Sequence, residues 1–186
     1  GFCNDGGYGT ARLPSLDADD YAALAGDYPA ERARLRRLGA QIDEAWGAFP
    51  GPVLSAGGRV RLPLLQVGKV TLAFQPPRID AEAIGAGAYH DPYLPPHHQY
   101  LAFYRYLERG LGVNAVVHIG THGTLEFLPG KELAPSGDCF PSALVGGLPH
   151  FYYYYSGNPS EAMIAKRKAH AVTVGYLQPP YGESGL

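Results

Sequence analysis

The sequence predicts an α/β fold: a mostly parallel sheet flanked by helices, with a helical N-terminal lead-in. Three observations predict it. Short apolar or aromatic runs (Ala115 to Val117, Phe151 to Tyr155, Ala171 to Leu177) read as strands. Helical patterns over about 98–109 and 159–170 lie between those runs and the segments before them. The first 52 residues carry helical spacing and end on Phe49-Pro50-Gly51-Pro52, which marks a boundary before a main domain at 53–186.

Composition bounds the classes of function. A chain of 186 residues makes one large domain, or one and a small appendage, and can bury a core. With 46% apolar and 17% charged residues it is not disordered. A net charge of −2 gives no electrostatic case for nucleic acid or an anionic membrane. No apolar run approaches the ~20 residues of a membrane span. The start, Gly1 to Asp5, lacks the basic and apolar portions of a signal peptide. Cys3 and Cys139 form no CxxC pair and no disulfide framework, so a reducing cytoplasm is expected. The chain starts without Met and stops at Glu183 to Leu186 without a capping signal, which reads as an excerpt of a longer protein.

Taken in order, residues 1–16 are Gly-rich and patternless and are expected to form a loop. Asp17 caps a short helix that Gly26 stops. Pro29 opens a longer one, with Leu35, Leu38, Ile42 and Ala45 at helical spacing opposite Arg34, Arg36, Asp43 and Glu44. Arg59 to Leu65 and Lys69 to Gln75 are two β segments around Gly68, the second stopped by Pro76-Pro77 and followed by Arg78. Residues 80–96 are mostly loop; there His90 beside Asp91 is either a turn pair or an oriented base. The helix from His98 to Arg109 carries a buried stripe of Tyr100, Phe103, Tyr104 and Leu107. Cys139 to Val145 suits one or two helical turns, with Cys139 a packed small residue. Along 151–155 the pleat sends Phe151, Tyr153 and Tyr155 one way and Tyr152 and Tyr154 the other. Those rings are either an ordinary covered strand or an aromatic wall for a flat ligand. Asn158, Pro159 and Glu161 start a helix with a small Ala162, Ala165, Ala169 face. Its Lys166-Arg167-Lys168 run suits the helix dipole, or else clamps substrate carboxylates.

The densest chemistry lies between Asn114 and Lys131, where His118, His122 and Glu126 recur at four-residue intervals among Gly120 and Gly123. On one helix they would span about 80° of a face at ~100° per residue. The two glycines, each costing roughly 1 kcal/mol inside a helix, argue against that. The sequence predicts instead a buried strand ending near His118, a glycine loop through His122 and a short helical turn carrying Glu126, closed by Pro129-Gly130. In open α/β sheets the loop leaving a strand's carboxyl end is where ligands sit. Two imidazoles and a carboxylate there can share an ion or move protons. The plain alternative is a core histidine, a loop histidine and a surface glutamate.

With these residues laid out, the chain resembles the large subunit of the chelatases that load metal into tetrapyrroles: the cobaltochelatase large subunit of cobalamin synthesis and the H subunit of magnesium chelatase. The matching pieces are Gln75 to Arg78, Tyr89 to Pro92, Pro95 to Leu107, His118 to Lys131, Asn158 to Ala162, Ala165 to Arg167 and Pro179-Pro180. Gln75-Pro76-Pro77-Arg78 and Tyr89-His90-Asp91-Pro92 look like the cobalt branch. Thr121 to Thr124 and Asn158 to Glu161 look more like the magnesium branch. The resemblance implies an enzyme of the ligase class forming nitrogen–metal bonds, with a divalent metal as substrate. A nitrogen-rich ligand set leans to cobalt over magnesium. It implies hydrogenobyrinic acid diamide or protoporphyrin as macrocycle, and ATP hydrolysed by AAA+ ATPase and integrin-like partner subunits. Consistently, the chain has no GxxxxGK[ST] loop. On this reading Glu126 accepts protons or hands off metal, His122 is its collaborator, and His118 ligates or fixes the loop; His118, His122 and Glu126 are the candidate metal ligands. Lys131, Arg167 and Arg78 hold substrate carboxylates, and Tyr153 faces the ring.

Two other readings compete. A mononuclear zinc hydrolase would use the same three residues around activated water and purify with stoichiometric zinc. A tetrapyrrole-binding or scaffolding fragment would be inactive alone.

Overall fold

A computed structural model describes residues 13–79, 85, 88, 91–120, 123–154 and 159–175. The lead-in begins with β1 (Ser15–Leu16), which pairs antiparallel with β3 (Arg59–Arg61); β2 (Ser55–Ala56) pairs on the other side of β3. Helix α1 (Ala18–Ala23) starts at Asp17 as predicted. The Asp17 carboxylate accepts from the Asp20 N–H at 2.9 Å while the Asp20 carboxylate accepts from the Asp17 N–H at 3.1 Å. Helix α2 (Pro29–Trp46) buries Leu35, Leu38 and Ile42, the predicted stripe.

Helix α3 (His98–Arg105) is buried along its whole length and widens into a π-helical turn over Tyr106–Gly110, so the helical segment ends where the pattern places it. The α2 stripe packs with Leu101, Phe103 and Leu107 of that segment and with Leu125, Leu128 and Leu144 in one core. An ion network ties α2 to α3: buried Arg105 donates to Glu31 at 2.7 Å and to Glu108 at 2.5 Å, and Arg109 donates to Glu31 at 2.8 Å. Glu31 reaches inward past Gly26 (φ +95°), where a Cβ would collide with the carboxylate. Only glycine fits that turn.

Strands β4 (Leu64–Val67) and β5 (Val70–Ala73) form a hairpin through Gly68, which has φ +60°. The apolar residues Val70, Leu72 and Phe74 alternate as expected, yet each is more than half exposed.

The parallel sheet consists of β6 (Val116–Gly120), β7 (His150–Tyr154) and β8 (Val172–Gly175), in that order. A 3-10 turn at Leu125–Phe127 and α4 (Phe140–Val145) lie between β6 and β7; α5 (Pro159–Lys168) lies between β7 and β8. Ala165 and Ala169 are fully buried, so the small face of α5 does lie close, with Ala165 beside Tyr152. The α/β class with a parallel sheet and flanking helices thus holds. The other face of this sheet shows Val117, Ile119, Phe151, Val172 and Val174 exposed. Among the described residues no helix is long and apolar enough to cross a membrane.

Candidate functional site

Alternation along β6 puts Val116, His118 and Gly120 on the covered face of the sheet, and Val117 and Ile119 on the open one. Register sets Val116 beside His150 and His118 beside Tyr152. Two inward β7 side chains therefore flank the His118 ring, at centroid distances of 4.7 Å (His150) and 5.3 Å (Tyr152). Tyr104 of α3 closes the third side at 6.2 Å.

Hydrogen-bond direction along this cluster is determined at both ends. His150 Nδ1 lies 2.9 Å from the Ala169 carbonyl, which only accepts, so Nδ1 carries the proton. A neutral His150 then accepts at Nε2, and His118 Nδ1–H donates to it across 2.7 Å. That leaves His118 Nε2 as an acceptor, with the Tyr104 hydroxyl at 3.0 Å and Gln75 Nε2 at 3.5 Å. From the other end, Gln75 Oε1 accepts from the Thr124 N–H (2.8 Å) and the Thr124 hydroxyl (3.1 Å). Thr124 Oγ1 in turn accepts from the Tyr100 hydroxyl at 2.8 Å. Gln75 Nε2 donates to the Tyr104 oxygen at 2.7 Å. One consistent proton arrangement runs from Tyr100 through Thr124, Gln75, Tyr104, His118 and His150 to Ala169.

The electrostatics agree with neutral rings. Burial, and secondarily the neighbouring His150, push His118 down to about 3. Burial likewise lowers His150 below the ordinary imidazole range, against the Ala169 carbonyl, which favours its protonated form. Burial holds the Tyr100 and Tyr104 hydroxyls protonated, well above their usual range.

Glu126 sits on the 3-10 turn and is completely buried. Its Oε1 accepts from the Gly123 N–H at 3.1 Å and the Tyr152 hydroxyl at 3.4 Å. The predicted strand and short turn are observed, although β6 runs on to Gly120 and is open on its Val117 and Ile119 face rather than buried, and residues 121 and 122 of the expected glycine loop lie outside the described residues. Tyr152 is the link between His118 and Glu126. Gly123 allows close approach: a Cβ there would lie 2.9 Å from the Tyr152 hydroxyl and 3.0 Å from Gln75 Oε1 and would push both groups from their hydrogen-bonded positions.

Not every predicted site residue falls in this cluster. His122 and His90 lie outside the described residues. Both ring nitrogens of His118 are engaged within the chain, so it presents no open lone pair for a metal, contrary to the ligand role expected of it. Among the described residues no group of three His, Cys, Asp or Glu side chains is gathered for a metal. Arg78 is completely buried and donates to the carbonyls of Phe127 (2.8 Å), Leu94 (3.0 Å) and Asp91. It clamps three loop segments together rather than waiting for a substrate carboxylate. Tyr153 pairs with Ile119 on the open face, one pleat step away from the cluster, and Tyr152 takes the inward position instead. Lys131 and Arg167 are exposed and, among the described residues, form no ion pair. Lys168, by contrast, is buried against Glu132 at 2.9 Å. Buried Cys139 is packed, and its thiol accepts from the Lys131 N–H at 3.3 Å.

Sequence reasoning passed over His150, Gln75, Tyr104 and Thr124. His150 could have been found by parity, since it stands two residues before Tyr152 on the same strand. Gln75 carried no such signal, because its role depends on where the hairpin lands.

The CobN/Magnesium Chelatase family matches residues 10–186. The magnesium-chelatase large (H) subunit from Chlorobaculum parvum is 40% identical over 147 residues, covering 78% of this chain and 12% of that protein. The aerobic cobaltochelatase CobN subunit from Sinorhizobium sp is 40% identical over 168 residues, covering 89% of this chain and 12% of that protein. The solved catalytic subunit of cobaltochelatase from Mycobacterium tuberculosis superposes with a TM-score of 0.72 at 39% identity, over 90% of this chain and 14% of that one. The chain therefore spans about an eighth of the length of these relatives. Because the match runs through β6, the glycine loop, the Glu126 turn and β7, and the folds superpose, the chain belongs to the CobN/magnesium chelatase family.

Proposed function

We propose that this chain forms part of the tetrapyrrole-binding catalytic large subunit of an ATP-dependent chelatase that inserts a divalent metal, with cobalt favoured. The observation that carries the reading is the buried Glu126 carboxylate, held by a glycine-loop N–H and a tyrosine hydroxyl beside the His118 network, in a member of this family.

Insertion requires the metal to shed water and two pyrrolic N–H groups to lose protons. A carboxylate is the group to take them, and Glu126 is assigned that role, with His122, four residues earlier in the sequence, its collaborator. His118 acts as a positioning residue: fixed as the Nδ1–H form, it holds Tyr104 and Gln75 and so anchors Thr124, next to the Gly123 N–H that binds Glu126. Exposed Lys131 and Arg167 supply cations for macrocycle carboxylates. ATP is consumed by AAA+ and integrin-like partner subunits in the cytoplasm, and the remainder of the large subunit is needed for turnover.

Magnesium is the second reading. Relatives named for magnesium and for cobalt match at the same 40% identity. The nitrogen-rich argument for cobalt also weakens once His118 is engaged within the chain. The test is metal-dependent insertion by the complete complex with ATP, offering cobalt with a corrin-type substrate and magnesium with protoporphyrin. Cobalt insertion is expected. Magnesium insertion alone would move the chain to the other branch, and insertion of neither would remove the chelatase reading. Tight stoichiometric zinc without tetrapyrrole would favour a zinc hydrolase instead.

A further inference from the structure

Between the hairpin and the parallel sheet lies a groove of about 490 Å³. Residues 69–73 line one side of it and residues 114–119 the other, with Phe103 and Leu107 contributing from the α3 segment. Side chains of a strand alternate between faces, so a wall made of consecutive residues is a strand edge and not a strand face. Among the described residues both bordering strands are terminal in their sheets: β5 pairs only with β4, and β6 only with β7. Among the described residues no backbone hydrogen bond joins β5 to β6. Among the described residues, the outward N–H and C=O groups of both strands thus face one slot of mixed lining without a strand partner, an arrangement that folded proteins ordinarily pair or cover. At its inner end the long side chain of Gln75 reaches across to His118.

We infer that this slot receives an extended, apolar segment from the remainder of the large subunit's own polypeptide, which adds as a strand between β5 and β6. The sheet order becomes β4-β5-inserted strand-β6-β7-β8. Strand addition draws affinity from main-chain hydrogen bonds and selectivity from pockets for alternate side chains. Three observations select this occupant. The relatives extend far beyond the matched region, which is 12–14% of their length, so ample chain exists to supply it. Val70, Leu72, Val117 and Ile119 on the bordering strands are each more than half exposed, so apolar side chains of an added strand would meet apolar cross-strand neighbours. Among the described residues the lining carries one full charge, Lys69, which suits a largely uncharged peptide better than a macrocycle bearing several carboxylates. The inference rests on family membership and not on the chelation chemistry, so it stands or falls separately from the role given to Glu126.

Amide hydrogen exchange tests it. In the 186-residue chain, the Val70–Ala73 and Val116–Gly120 amides that are not bonded to β4 or β7 are expected to exchange freely, while those bonded to β4 and β7 are protected. In the ligand-free, full-length Mycobacterium tuberculosis catalytic subunit, the matching edge amides of both strands are expected to slow by at least about a hundredfold. Edge amides that stay fast in the full-length protein would overturn the proposal. So would protection confined to one strand, or protection appearing only when deuteroporphyrin is added, which would make the slot a macrocycle site.

Discussion

His118 shows how a single proton position can be fixed by a carbonyl two contacts away. Because the Ala169 carbonyl only accepts, His150 must donate to it and accept from His118, which leaves His118 Nε2 unprotonated and accepting from the Tyr104 hydroxyl. Nitrogen-15 NMR of the folded chain is expected to show His118 protonated at Nδ1 and unprotonated at Nε2. His150→Gln, which retains an acceptor in place of Nε2, keeps that pattern, whereas His150→Ala lets the ring populate the other tautomer. An unchanged tautomer in His150→Ala would detach the two rings. The acid response follows from the same burial. With its folded value near 3 against an ordinary 6.5, His118 stays neutral in the folded state while the unfolded chain takes up a proton. Stability therefore falls as pH drops from about 6.5 toward 3, and His118→Asn flattens that part of the profile in urea titrations. At this scale the sequence marked His118 and Glu126 because they share a glycine-rich run. It missed the partners that orient them, since Gln75, Tyr104 and His150 come from three separate elements. Arg78 was expected to hold substrate carboxylates for a similar reason: its carbonyl partners Asp91, Leu94 and Phe127 lie in segments distant in sequence.

The elements were more legible, because local rules decide them. Asp17 and Asp20 cap α1 by side-chain chemistry alone, and the stripe of α2 follows from apolar spacing. The π-helical widening after Arg105 left no trace in the pattern, because it preserves the buried positions Phe103 and Leu107. What locks α2 to α3 also escaped notice. Arg105 is buried between Glu31 and Glu108, and the pairing with Glu31 spans 74 residues of sequence. Replacing Glu31 by Ala leaves a buried guanidinium short of a partner and is expected to cost roughly 3 kcal/mol. Urea unfolding measures it. A cost below about 1 kcal/mol would place this pair with ordinary surface ion pairs.

For the molecule as a whole, the α/β class was readable because parallel strands separated by helical segments leave few alternatives. Which sheet face would stay open was not, since apolar runs look alike whether covered by this chain or by another. Val117, Ile119, Phe151, Val172 and Val174 are exposed on that face, and the chain spans about an eighth of the length of its relatives. The proposed chemistry converges on one carboxylate. The decisive measurement is single-turnover metal insertion by the full-length subunit carrying Glu126→Gln, assembled with its partners and ATP, alongside fluorescence titration of the tetrapyrrole. Insertion is expected to fall at least about a hundredfold with tetrapyrrole affinity nearly unchanged. Turnover equal to that of the unsubstituted subunit would contradict the account by removing Glu126 from the proton transfers.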